Sequence, residues 1–224
     1  LQLLITRQKP FDFLMRIEQL RFQTRWNQTP RVPKTSVLGH CFFVAVITLL
    51  LGRECGTELC GRRVYNNFFS GLFHDLPESV TRDIISPVKN ATDGLPEIVK
   101  HIEDQIVQKE LVPLMEPFYR DEILYWTSDE FSNRAIFDNC VLSISFNELN
   151  SKFNEDRYSP VDGKLVRAAD HLSALLEAHL SIQHGITSVQ LQKGRENLYK
   201  GYKKGVLVNG IDVPGIFDDI MMTE

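Results

Sequence analysis

The sequence predicts an all-α fold, on three observations. Apolar residues recur every three or four positions through most of the chain, prolines and glycines punctuate those stretches, and no internal repeat or low-complexity tract breaks them. With 224 residues, 43% of them hydrophobic, one well-filled core is expected rather than two full domains. The expected unit is a single domain over 1–224: a core at about 10–185, an inserted or extended helical region at about 94–162, and a C-terminal arm at about 186–224.

A first helix is expected over 11–22, where Phe13, Leu14, Ile17, Leu20 and Phe22 recur at helical spacing. Pro30 and Pro33 make 27–34 an extended loop. Thr35 or Ser36 supplies the N-cap of a second helix over 37–51, apolar on most sides, with Gly52 read as its C-terminal stop. Its apolar run over 42–51 is well short of the roughly 20 residues that cross a membrane, so it is read as buried. Two glycines, two cysteines and five charges make 53–63 a loop. A third helix over 64–76 would turn Phe68, Phe69, Leu72 and Phe73 inward and carry His74 and Asp75 at its end, where Pro77 limits it. Further helical patterns cover 95–114 (Ile98, Ile102, Ile106 and Leu111 inward), 122–127 and 133–154. A late helix over 163–185 has an apolar stripe of Leu165, Ala168, Ala169, Leu172, Leu175, Leu176 and Leu180, with Asp170 in its middle. The tail combines a polar helical stretch with Val206-Leu207-Val208, read as a short strand or packed arm.

The 29 acidic and 25 basic side chains leave a formal charge of -4, which gives no global field for a nucleic acid polymer or an anionic membrane. A small anionic substrate would need locally placed cations. Four cysteines without a CxxC pair suggest reduced thiols in a cytoplasmic protein, and no secretory signal is expected.

Taken singly, His40, the His74-Asp75 pair and Asp170 each admit an ordinary structural role. Asp170 is the hardest to dismiss, because Ala168, Ala169 and Leu172 surround a carboxylate that is costly to bury without a partner. Together, two imidazoles and two carboxylates are ligand types that suit a divalent cation. With protein ligands on one side only, such a site keeps positions open for water and a phosphate oxygen, as hydrolysis requires.

The order His40, then Phe73-His74-Asp75-Leu76-Pro77-Glu78, then Asp170 in Leu165-Val166-Arg167-Ala168-Ala169-Asp170 resembles the H…HD…D signature of the HD superfamily of metal-dependent phosphohydrolases. Leu72-Phe73-His74-Asp75-x-x-Glu78, followed by Asp83 and Pro87-Val88-Lys89, is similar to the bacterial 5′-deoxynucleotidase branch, as is Arg25-Trp26 before a proline-bearing loop into His40. The matches lie at about 22–42, 69–90 and 163–178. The resemblance implies an HD-domain helical bundle with the metal site between core helices. His40, His74, Asp75 and Asp170 would hold one divalent ion, of Co, Mn, Fe, Zn, Ni or Mg. Glu78 would be the acid/base and Asp83 would position water or substrate. Arg25 would meet the phosphate, Trp26 the sugar, and Lys89 would add a second cation. The implied reaction is hydrolysis of a (deoxy)nucleoside 5′-monophosphate by metal-activated water.

Two departures bear on substrate. The branch commonly has a Ser-Glu pair before its first ligand and Ser after it, whereas this chain has Leu38-Gly39-His40-Cys41. The interval from Asp75 to Asp170 is also longer, with the extra length between about 94 and 162. Two other readings use the same residues: an HD-fold nucleotide-binding or regulatory module without turnover, and a phosphodiesterase or guanosine-tetraphosphate-type hydrolase. An intact Glu78 weighs against the first; Arg25-Trp26 and Pro87-Val88-Lys89 weigh against the second. Glu177, seven residues after Asp170, shares its helix face and is a candidate to touch a ligand or substrate. The basic cluster Lys193, Arg195, Lys200, Lys203 and Lys204 is read as a solvated face. A partly apolar segment at 213–222 is a candidate to pack across a homodimer.

Overall fold

A computed structural model of the chain describes residues 8–81, 92 and 94–222. Helix α1 (Gln8–Phe22) turns Phe13 and Leu20 inward, the first into a cluster with Leu76, Leu111 and Trp126, the second onto Val37 and Cys41. The following loop closes on itself. Thr24 bridges Ser36, Arg25 N donates to Thr35 O, and Val37 N donates to Gln23 O.

Helix α2 (Val37–Glu54) is capped by Ser36, whose hydroxyl accepts from Gly39 N at 3.0 Å. It does not stop at Gly52 as expected. Gly52 lies inside the last turns, where a Cβ would come within 3.3 Å of Leu59, so this glycine serves close packing rather than termination. By length and composition α2 is apolar enough to cross a membrane, but its buried face (Val37, His40, Cys41, Val44, Ala45, Thr48) packs on α3 and α8, as a core helix does.

Helix α3 (Gly61–Phe73) begins inside the segment expected to be a loop, and its most buried face is polar: Arg63, Asn66, Asn67, Ser70 and Gly71. The expected inward aromatics are only partly covered, with Phe69 and Phe73 stacked on Trp126. The inversion has a physical cause, because the larger inward polar side chains, Arg63, Asn66 and Asn67, are hydrogen-bonded. Arg63 makes a two-pronged ion pair with Asp162, Asn67 bonds Asp162, and Asn66 accepts from Trp126.

After the one-turn α4 (Glu78–Thr81), α5 (Leu95–Ile106) continues through a π-helical turn (Val107–Leu111) into a 3₁₀ turn (Val112–Leu114). Pro113 lacks an N–H and crowds the carbonyl four residues back, so the regular ladder ends there. The wider turn shifts the register. Val107 and Leu111 are buried, whereas Ile98 and Ile102, expected inward, are exposed. Helix α6 (Pro117–Thr127) starts with a proline in its first turn.

The expected helix over 133–154 is a correction. Residues Asn133–Phe137 form β1 and Cys140–Ser143 form β2, paired antiparallel with Phe137 opposite Cys140. Asp138 and Asn139, with φ of 48° and 60°, make a two-residue turn of the kind whose twist matches a hairpin. Only α7 (Phe146–Ser151) is helical in that stretch, started by a capping box between Ser145 and Glu148. The short β3 (Val161–Asp162) pairs with β1 on the other side, giving the sheet order β2-β1-β3.

Helix α8 (Gly163–Gln183) packs on α2 and α3, and α9 (Val189–Lys200) and α10 (Val213–Met222) pack on α8. Between them Val208 bridges Ile211 through the tight turn Asn209-Gly210, while Val206 and Leu207 stay exposed. Helix α10 buries Val213 and Phe217 against Leu165, Leu172 and Leu175, so these side chains face the chain's own core rather than a second copy. The class is largely all-α, with one small antiparallel sheet between α6 and α8.

Candidate metal centre

The centre lies where α2, the end of α3 and the middle of α8 meet. A Cβ on Gly71 of α3 would fall 2.9 Å from Ala45 Cα of α2, so the absent side chain lets the two helices approach closely. That approach brings the rings of His40 and His74 to 5.3 Å between centroids. His74 follows the last residue of α3, with its Nδ1 2.8 Å from Gly71 O, so Nδ1–H is the donor there and Nε2 is left to face the cluster.

Asp170 Oδ1 is 3.2 Å from His40 Nε2, and Asp75 Oδ2 is 3.2 Å from His74 Nε2 and 3.9 Å from His40 Nε2. His40, His74 and Asp170 present ligand atoms all within 4.8 Å of one another. Both imidazoles are buried, and neither Nε2 has a hydrogen-bond partner among the described residues. Two buried nitrogens facing two carboxylates fit a divalent cation of the borderline N/O-binding kind, which would satisfy all four groups.

The field supports that fit. Burial pushes Asp170 up and Asp75 up; the nearby His40, His74 and Arg25 more than reverse this and hold both well below the usual carboxylate range. Burial disfavours the charged form of His74, and Asp75 with Cys41 outweighs it, raising that imidazole above its ordinary value. The pocket is one in which a positive charge is favoured.

Arg25 and Glu177 flank the candidate ligands. Arg25 Nε donates to Glu177 Oε2 at 3.3 Å, and its Nη1 is 3.6 Å from Asp75 Oδ2. Burial disfavours the Arg25 charge, but Glu177, Asp75 and Asp170 hold its pKa above normal. Trp26, at φ 56°, donates its indole N–H to the same Glu177 oxygen at 2.9 Å and lays its ring on α9, where a Cβ on Gly194 would be 2.8 Å from Trp26 Cη2. Glu177 is buried, which works against its charge; His40 and Arg25 bring it down to about 2.

The structure thus brings together His40, His74, Asp75, Asp170, Arg25 and Trp26. Glu78 is buried at the start of α4, its main chain held by Asp75 O and Gln23 Nε2, and its charge reaches Arg25. Asp83 and Lys89 lie outside the described residues. Sequence reasoning left Glu177 open and missed Ser173 and Arg31. Ser173 Oγ is 3.0 Å from His40 Nδ1; Arg31 donates to Glu177 O and Thr35 Oγ1, stapling the loop to α8. The available signal was a polar stripe, Asp170, Ser173, Glu177 and Ser181, at helical spacing among alanines and leucines. Cys41, next to His40, directs its thiol toward Asp75 Oδ2 at 4.0 Å.

The chain is similar to known proteins in sequence and in fold. A family model described as HD domain matches residues 17–199. A 5′-deoxynucleotidase of Klebsiella pneumoniae is 25% identical over 187 residues, covering 82% of this chain and 79% of the relative. An HD-domain phosphohydrolase from Listeria innocua superposes with a TM-score of 0.70 at 16% identity, over 96% of this chain and 90% of that one. The cyanophage S-2L HD phosphohydrolase DatZ, bound to dA and one catalytic Zn²⁺ ion, superposes at 0.55 and 18% identity, over 96% and 92%.

Proposed function

This chain belongs to the HD-domain family, and from that membership we propose that it is a metal-dependent phosphohydrolase acting on a (deoxy)nucleoside 5′-monophosphate. The observation that carries the reading is the pair of buried imidazole nitrogens, His40 Nε2 and His74 Nε2, turned toward Asp75 and Asp170 without hydrogen-bond partners among the described residues. These four side chains are the proposed ligands. A divalent cation held there supplies Lewis acidity and a water of lowered pKa.

The chain's own groups divide the remaining work. Arg25 gives its Nε–H to Glu177 and holds Nη1 3.6 Å from Asp75, and its remaining guanidinium donors are the ones proposed to meet the oxygens of a phosphate, for which a guanidinium fork is well matched. The Glu78 carboxylate is the group proposed to carry a proton between the attacking water and the leaving oxygen. Trp26, fixed at its indole N–H, offers a ring face to the sugar. The nucleotide class is supported by the Klebsiella relative and by the deoxyadenosine in DatZ, together with the Arg25-Trp26 pair beside the centre.

The test is phosphate release from a panel of 5′-nucleotides with added Co, Mn, Mg or Zn. Metal-dependent turnover of deoxynucleoside monophosphates, reduced by about 10²–10⁴ in Glu78→Ala, is expected. Metal uptake with no release from any monophosphate would sink the nucleotidase reading.

A further inference from the structure

Glu177 stands between the candidate metal ligands and the two loop residues proposed to meet substrate. Its Oε2 accepts from Trp26 Nε1 at 2.9 Å and Arg25 Nε at 3.3 Å. Its Oε1 is buried without a hydrogen-bond partner among the described residues, 3.5 Å from His40 Nδ1. His40 Nδ1 has a second neighbour, Ser173 Oγ, at 3.0 Å.

The chemistry of imidazole makes this arrangement directional. A neutral ring carries one proton, so a cation on Nε2 obliges Nδ1 to be the N–H donor. Of the two acceptors within reach, Ser173 can also donate, whereas the Glu177 carboxylate can only accept and is charged, which makes the stronger bond. The oxygen lacking a partner is the one that faces Nδ1. A carboxylate drawn toward His40 carries the opposite oxygen with it, and that oxygen holds Arg25 and Trp26. The loop bearing them is closed at its base by the Thr24–Ser36 bridge, and Gly194 leaves no slack on the far side of the indole.

We propose that Glu177 is a positioning residue that couples occupancy of the metal centre, through His40, to the placement of Arg25 and Trp26 for substrate. The inference rests on the metal-centre reading above and adds an order to it: cation first, then the substrate side.

Trp26 is its own reporter, with Trp126 as the one other tryptophan. The experiment titrates the whole protein with Zn²⁺, following indole emission and, separately, Zn²⁺ uptake by calorimetry. Zn²⁺ is expected to change the emission of the native protein, and Trp26→Phe is expected to abolish that change while still binding Zn²⁺. Glu177→Gln is expected to bind Zn²⁺ about 10–100-fold more weakly and, at saturation, to show no emission change. Ser173→Ala, which removes the competing acceptor and keeps the carboxylate, is expected to enlarge the change. Uptake of Zn²⁺ without any emission response in the native protein, or an undiminished response in Glu177→Gln, overturns the coupling and leaves the metal centre standing. Should Glu177→Gln fail to fold, Ser173→Ala decides, and an unaltered response there overturns the proposal. No Zn²⁺ uptake by the native protein removes the metal centre and the coupling together.

Discussion

Two buried clusters of charge sit on opposite ends of α3, and they are finished differently. At its N-terminal end Asp162 accepts from Arg63 Nε and Nη2 at 2.7 Å each, from Asn67 Nδ2 at 2.8 Å and from Asn209 Nδ2 at 2.9 Å. A carboxylate has about four acceptor positions, and here four donors fill them. Arg63 Nη1 is taken up by Asn150 and Asn154. At the C-terminal end, His40 and His74 each turn toward Asp75 and Asp170 a buried nitrogen that has no hydrogen-bond partner among the described residues. Since a buried polar atom without a bond costs about 1–3 kcal/mol, the first cluster reads as an anchor and the second as a set of groups arranged for something the protein must bind. Burial alone does not distinguish the two; satisfaction does.

Breaking the anchor is expected to have the largest effect. Asp162→Ala leaves Arg63 as an uncompensated buried cation and should lower unfolding stability by about 3–5 kcal/mol in urea denaturation. A loss below 1 kcal/mol would mean that the network contributes little. The same substitution should loosen the sheet and the C-terminal turn together, because Asp162 joins α3, β3 and Asn209.

The second cluster should respond to a cation where the first does not. Saturating Zn²⁺, at about 100 times its dissociation constant, should stabilise the native protein by about 2.7 kcal/mol. In Asp170→Asn this gain should vanish, because one of the two proposed ligand charges is gone. An equal Zn²⁺ response in Asp170→Asn would place the ion elsewhere.

How much of this contrast was legible in the sequence follows from what each cluster is made of. His40, His74-Asp75 and Asp170 announce themselves by residue type and order, and their helices follow from apolar spacing, so their clustering was readable. The anchor was not, because Arg63 fell in a segment read as a loop and its partner Asp162 is 99 positions away with nothing local to pair them. The hairpin was missed for a related reason: β1 is buried at Asn133, Arg134 and Ala135 in succession, without the alternation that marks a half-covered strand. Its one local signal was the Asp138-Asn139 turn. Glu177 lay between these cases, since spacing placed it on the face of Asp170, but only the folded loop brings Arg25 and Trp26 onto it.

The comparison can be sharpened without touching any charged residue, through the glycine that sets the distance between the imidazoles. A Cβ on Gly71 would lie 2.9 Å from Ala45 Cα and 3.1 Å from Ala45 N, and backbone cannot swing aside as a side-chain tip can, so α2 and α3 must part. Gly71→Ala should therefore cost about 1–3 kcal/mol of stability, the usual range for overpacking. It should also weaken Zn²⁺ binding, since His40 rides on α2 and His74 is bonded to the Gly71 carbonyl. Gly52→Ala is the control: its Cβ would meet the flexible Leu59 Cδ1 at 3.3 Å, and Zn²⁺ affinity should survive. Calorimetric titration of both variants separates the helix contact from general destabilisation. Equal Zn²⁺ affinity in Gly71→Ala and the native protein would show that the centre tolerates the separation, and that the close approach at Gly71 serves packing alone.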